Sequence, residues 1–478
     1  MLFNSLQFAV FFVVVTSLFF ALPHRFRGAL LLAASVYFYM AFVPVYIFIL
    51  IGTILVDYAA GFLIDRSQGR ARKSWLIVSI VANVGVLAFF KYFNFVNDTL
   101  RTLTGFAEWR YPIPALDIVL PIGLSFHTFQ SMAYTIELYR GHQPVERNLW
   151  RFALYVLFYP QLVAGPIERP QNLLQQLHVK QAFDYDRAKF GLQLMAWGLF
   201  KKVVIADRVA PVVNAVYQNP DAYSGSAVLV ATYLFAIQIY GDFSGYSDIA
   251  IGAAQVMGFK LMRNFDRPYF SQSINEFWRR WHISLSTWFR DYVYVTLGGN
   301  RVSTRRRAFN LLAVFSLSGL WHGANWTYVV WGALNGLYLV FGILTASLRR
   351  RLVEHSQLER VPVLQYIIRI LITFHLILLA WVFFRAASLA DAATILRSIA
   401  TWSGGAVAPL DIAGGRTLIL FSVGLLVAVE CLQARYPIRN LLAEQRALVR
   451  WPTYITAVVG LLLLGEFTSD QQFIYFQF

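Results

Sequence analysis

His322 sits in a stretch without charge: Gly319, Leu320, Trp321, His322, Gly323, Ala324 and Asn325 lie between Arg307 and Arg349, and no Asp, Glu, Lys or Arg intervenes. Forty residues upstream, His282 closes the aromatic-basic run Phe277, Trp278, Arg279, Arg280, Trp281, His282. A titratable side chain at membrane depth is costly unless protein or a water-filled cavity surrounds it, which makes it a functional candidate by default. A buried imidazole is neutral near pH 7 and can accept a proton, which suits a general base acting on a hydroxyl. The cationic neighbours Arg279, Arg280 and Arg290 also favour a neutral ring at His282, which could orient a substrate or assist His322. Each histidine keeps a plainer reading at this point. His322 could tie helices together by a hydrogen bond, and His282 could be one polar residue of an interfacial helix.

A third constellation is Gly241, Asp242, Phe243, Ser244, Gly245, Tyr246, Ser247 and Asp248, inside an apolar segment. Two carboxylates there need cationic partners or a wet cavity, and arginines such as Arg279 or Arg290 are the expected partners in a structural ion pair. Near His322, Gly319 and Gly323 permit close backbone approach, while Trp321 and Trp326 are expected to wall a pocket. The remaining histidines, His24, His127, His142, His178, His355 and His375, carry less signal. Single Cys431 excludes an intrachain disulfide and a cysteine-based metal cluster. Phosphate-loop, His-Glu-x-x-His and dinucleotide-binding motifs are missing, so no metal site and no permanently bound cofactor are expected.

The elements that must hold these residues are membrane helices. Of 478 residues 58% are hydrophobic and 14% charged, against about 25% charged in a soluble domain. The formal charge of +16 comes from short clusters between apolar runs, the pattern of cytoplasmic loops rather than of a nucleic-acid surface. Apolar segments are Leu6–Leu22, Ala29–Leu63, Trp75–Phe95, Leu120–Met132, Phe152–Val163, Leu192–Ala206, Val228–Met257, Leu311–Leu320, Trp326–Leu344, Val363–Phe384, Thr417–Leu432 and Tyr454–Leu464. With about 20 residues per crossing, they predict roughly ten to twelve membrane-embedded helices in an all-α polytopic chain. Leu6–Leu22 lacks a basic flank and reads as a retained first helix rather than a secretory signal. Ala29–Leu63 would be about 50 Å long as one helix, so a break near Pro44 is expected. Pro160, Gly165, Pro166 and Pro170 interrupt another apolar region, which predicts re-entrant backbone around a central cavity. Trp278, Trp281, Leu285 and Trp288 recur at spacings of three and four and predict a helix lying at the interface or re-entering a funnel. Positive clusters fall at Arg66 to Lys73, Lys201 and Lys202, Arg305 to Arg307, and Arg349 to Arg351. Without a repeat, low-complexity tract or long polar linker, residues 1–478 read as a single domain.

Several motifs together resemble the membrane-bound O-acyltransferase family, in its bacterial alginate O-acetylation type. They are Tyr240 to Gly252 (YGDFSGYSDIAIG), Asn275 to Arg301 (NEFWRRWHISLSTWFRDYVYVTLGGNR), Gly319 to Gly332 (GLWHGANWTYVVWG), Phe158 to Arg169, and the closing FIYFQF of residues 473–478. The resemblance implies a helical fold around a tunnel in the bacterial inner membrane, with His322 as principal catalytic histidine and His282 as second active-site position. Trp321, Asn325, Arg279, Arg280, Trp281, Asp242 and Asp248 are then expected along the substrate path. It also implies an acyl donor, acetyl-CoA, used from the cytoplasmic side. The acceptor would be a cell-surface polysaccharide, or a periplasmic partner protein that completes the transfer. Alginate, another exopolysaccharide, cellulose and peptidoglycan all fit, and teichoic acid more distantly. A transporter or channel for a polymer or acyl carrier is the rival, since broken helices and intramembrane carboxylates also line transport paths. Against it, the polar motifs crowd into Tyr240 to Asn335 instead of recurring in two hydropathy halves.

Overall fold

Pro44 breaks the first long apolar stretch as its chemistry requires. Helix His24–Met40 ends, a 3-10 turn spans Pro44–Tyr46, and Ile47–Arg66 resumes as a helix. The computed structural model describes residues 1–106, 111–163, 165–436, 442, 444–467, 473 and 474. Ala164 in the Phe158 to Arg169 motif and residues 475–478 of the closing motif lie outside the described residues. Among those described there is no strand, and an isolated bridge joins Tyr223 and Ala406.

Seven helices are long and apolar enough to cross a membrane: Pro44–Arg66, Gly69–Phe106, Gly225–Met257, Trp326–Leu344, Pro362–Arg385, Gly415–Arg435 and Ala447–Leu464. Leu6–Ala21 is a shorter apolar helix. The expected segments Leu120–Met132, Phe152–Val163, Leu192–Ala206 and Leu311–Leu320 fall on helices outside that set, shorter or diluted by polar residues.

The chain divides into two compact units, residues 1–195 with 246–262, and residues 196–245 with 263–478. In the first, helices Ile47–Arg66, Gly69–Leu87 and Leu124–Arg140 enclose a polar core. Asp57 there accepts from Ser79 Oγ at 2.6 Å and from Asn83 Nδ2 at 2.9 Å. His127 Nε2 lies 2.6 Å from Thr53 Oγ1, a helix-tying role. The interrupted backbone around Pro160 and Gly165 is buried in protein. Its carbonyls find side-chain donors: Tyr155 O accepts from Gln161 Nε2 at 2.7 Å, and Glu168 O accepts from the Tyr155 hydroxyl at 3.1 Å.

In the second unit, Thr304–His322 and Trp326–Leu344 run antiparallel in close contact. Gly319 and Gly332 face each other there, and a Cβ on either would collide with a carbonyl of the opposite helix. Small residues let backbones approach this closely. Ser303 and Asn325 cap the two helices, their side-chain oxygens accepting from Arg306 N and Thr327 N.

Two expectations about the second unit need correction. Lys201 and Lys202 are not a solvated loop cluster. They lie buried on the π-helical turn Phe200–Ala206. The aromatic-basic run is not one helix either. It forms Ile274–Arg280 and Ile283–Phe289, separated by Trp281 in extended and His282 in left-handed conformation (φ 42°, ψ 55°). A non-glycine residue there costs roughly 1–2 kcal/mol, and Asn264 sustains it. Its carbonyl accepts from Ile283 N at 2.9 Å, and its Oδ1 accepts from Ser284 Oγ at 3.0 Å.

Candidate active site

The left-handed turn carries the His282 ring inward, where it is fully buried (0% exposed). His322 is buried at the C-terminal end of its helix. The two imidazole centroids lie 6.4 Å apart with ring planes 59° from parallel. Edge-on aromatic rings surround them. Trp321, Trp331 and Phe384 pack on His322 at 4.8, 4.9 and 5.4 Å, and Phe243 packs on His282 at 4.5 Å. His282 lies outside the membrane-spanning helices, and burial pulls its pKa from 6.5 down to about 3. It is therefore neutral at every working pH.

Of the residues named from sequence, Trp321 and Trp281 belong to this chamber. Trp321 lies 6.1 Å from His282, and Trp281 is buried against Trp381 at 5.1 Å. Asn325 caps the helix that follows, and its Nδ2 donates to Ala387 O at 3.0 Å. Trp326 is 49% exposed and does not wall the pocket; five residues on, Trp331 holds that place because the helix turns Trp326 outward. Arg279 is exposed, and Arg280 is engaged with Glu276 at 2.6 Å.

Asp242 does not pair with Arg279 or Arg290, and Arg290 instead holds its neighbour Asp291 at 2.7 Å. The partner of Asp242 is Lys202, at 2.9 Å, which also meets Asp207 at 2.6 Å. The Asp242 Oδ2 accepts from Ile474 N at 2.7 Å, so the carboxylate anchors the closing segment. Phe473 in turn packs on Phe243 at 5.8 Å. Asp248, six residues along the same helix, is half-buried and belongs to the first unit.

Sequence reasoning gave no role at the site to Phe243, Trp331, Phe384, Asn264 or Lys202. Phe243, Trp331 and Phe384 carry no periodic signal that separates them from many other aromatic residues, whereas a lysine inside an apolar run was a usable signal for Lys202. Chemically, the site offers two buried imidazoles in a lining of hydrocarbon and indole, suited to moving a proton away from bulk water.

Residues 139–389 match the model of the membrane-bound O-acyltransferase family, MBOAT. The chain is 40% identical over 393 residues to the probable alginate O-acetylase AlgI of Pseudomonas aeruginosa, an alignment covering 81% of this chain and 73% of that protein. The chain belongs to the membrane-bound O-acyltransferase family. A peptidoglycan O-acetyltransferase of Helicobacter pylori is 34% identical over 401 residues, 78% of this chain and 74% of that protein. A teichoic acid D-alanyltransferase of Streptococcus thermophilus is 30% identical over 243 residues, 48% of this chain and 58% of that protein. The protein is thus a membrane-bound O-acyltransferase, a multi-pass protein of the bacterial inner membrane. Both histidines of this O-acyltransferase and all three walls of His322 fall inside the family-matched residues, and the closing segment held by Asp242 falls beyond them.

Proposed function

We propose that this O-acyltransferase moves an acetyl group from acetyl-CoA, taken from the cytoplasmic side, to a hydroxyl serving a cell-surface polysaccharide. The hydroxyl belongs to the sugar itself or to a periplasmic partner protein that passes the acetyl on. His322 takes the hydroxyl proton as its oxygen bonds to the thioester carbonyl carbon. The carbon–sulfur bond then breaks, and the leaving thiolate takes the proton from the imidazolium. His282, neutral throughout, stabilises the oxyanion by hydrogen bonding or orients the acceptor. The observation that carries this reading is the pair of buried imidazoles 6.4 Å apart in an aromatic chamber. Support for acetyl transfer toward an exopolysaccharide comes from the relatives named as acetylases. The aromatic walls keep water from the thioester.

The test is release of CoA and acceptor acetylation from labelled acetyl-CoA in proteoliposomes. Wild type is expected to turn over, and His322→Ala to lose roughly 10²–10⁴ in rate while keeping its melting temperature. Full turnover by the folded variant would remove His322 from the base role. No CoA release by wild type with any acceptor would favour a transporter.

A further inference from the structure

Glu430 is the single acidic residue of the helix Gly415–Arg435, and it lies beyond the family-matched residues 139–389. It falls on the buried stripe of that helix with Ile419, Ser422 and Leu426, and is 6% exposed. A carboxylate at that depth in an apolar, membrane-crossing helix persists only with a partner. Its Oε1 accepts from the Tyr240 hydroxyl. Tyr240 is buried on the helix Gly225–Met257, one turn before Phe243, whose ring packs on His282.

The Tyr240 ring belongs to the wall behind His282. It meets Phe265 edge-on at 6.0 Å and lies 6.2 Å from Trp281, while Lys201 Nζ stands 5.7 Å from its centre. Phe265 faces the His282 ring nearly parallel, 16° apart at 6.5 Å, and also packs on Phe243 at 4.9 Å. Trp281 supplies the extended residue that leads into the left-handed turn at His282. Close-packed rings transmit a displacement instead of absorbing it. Whatever fixes the rotamer of Tyr240 therefore fixes two of the groups that back His282. A plainer use for Glu430 is to tie its helix to Gly225–Met257. Any donor on the neighbouring helix would serve that use; the donor present is the phenol at the rear of the chamber.

We infer that Glu430, acting through the Tyr240 hydroxyl, is a positioning residue that holds His282 in its working orientation. The inference rests on the acyl-transfer reading for its meaning, but the ring can be observed without turnover. The experiment uses the full chain, with acetyl-CoA turnover in proteoliposomes and magnetic resonance of isotope-labelled histidine in detergent. The His282 signal is identified by its loss in His282→Gln. Glu430→Gln keeps an acceptor oxygen for the phenol and is expected to keep the wild-type signal and most of the rate. Glu430→Leu is expected to shift or broaden the His282 signal and to lower kcat roughly ten- to hundredfold, with the KM for acetyl-CoA unchanged. The double variant Tyr240→Phe with Glu430→Leu strands no polar group, so its melting temperature is expected to return to that of wild type. Its kcat is expected to stay low. Should Glu430→Leu not fold, the double variant carries the test. Recovery of kcat together with the melting temperature would show a merely structural tie and overturn the inference. So would an unmoved His282 signal, or a loss that falls on KM. Failure of wild type to release CoA would overturn the acyl-transfer reading and leave the His282 signal to decide the positioning.

Discussion

His282 is held neutral by burial, and the consequence runs through stability as well as chemistry. Its native pKa of about 3 lies below the ordinary 6.5, so the unfolded chain binds its proton first as pH falls. Stability from this group is therefore complete above pH 6.5 and declines between 6.5 and about 3, by about 1.4 kcal/mol per pH unit. In detergent melts from pH 7 to pH 4, His282→Gln is expected to flatten that part of the acid decline. An unchanged slope would show that other groups cause it. The acid limb of the rate profile should for the same reason survive this substitution if His322 sets it. Neither position was ambiguous as a residue type. What was not legible was the left-handed turn at His282, which is held in part by Asn264, eighteen residues upstream.

At the scale of elements, the Lys202, Asp207 and Asp242 cluster joins the π-helical turn, the helix that follows it, the long helix Gly225–Met257 and the closing segment. Burial pushes the Asp207 carboxyl up to about 7, so near neutrality it is only partly ionised beside Lys202. Removing the lysine as Lys202→Met strands buried carboxylate and is expected to cost about 3–5 kcal/mol. Asp242→Asn is expected to cost more than Asp207→Asn, because Asp242 both faces Lys202 and anchors the Ile474 amide, which a neutral amide oxygen holds more weakly than a carboxylate. Melting temperatures of the three variants check the order, and the reverse order for the two aspartates would refute it. Helix contact makes a second demand: Gly332→Val would drive its side chain into Phe315 O. It should separate the two helices and lower both stability and acyl transfer, while Ala333→Val at the next position, half-buried, is expected to be milder. The closeness of these helices was legible at Gly319. Its partner Gly332 was not, because nothing in a linear chain says which glycine faces which.

For the whole molecule, the charge pattern along the second unit yields an orientation. Single cysteines introduced at Arg350 and at Ser388, in a chain with Cys431 replaced, should be labelled from opposite sides by a membrane-impermeant thiol reagent. Ser388 is expected to react in intact cells, and Arg350 only after lysis. Labelling of both from one side would invert or collapse this orientation. An all-helical membrane fold, the break at Pro44, the absence of charge around His322 and the family motifs all followed from the chain alone, because hydropathy, proline geometry and motif spacing are local properties. Partner choice was not local. Asp242 took Lys202, forty residues upstream, rather than the arginines beyond it; Trp331 replaced Trp326 beside His322; and the aromatic-basic run bent at His282. Each outcome depended on which buried groups the packed helices left within reach of one another, so only the tertiary structure decided it.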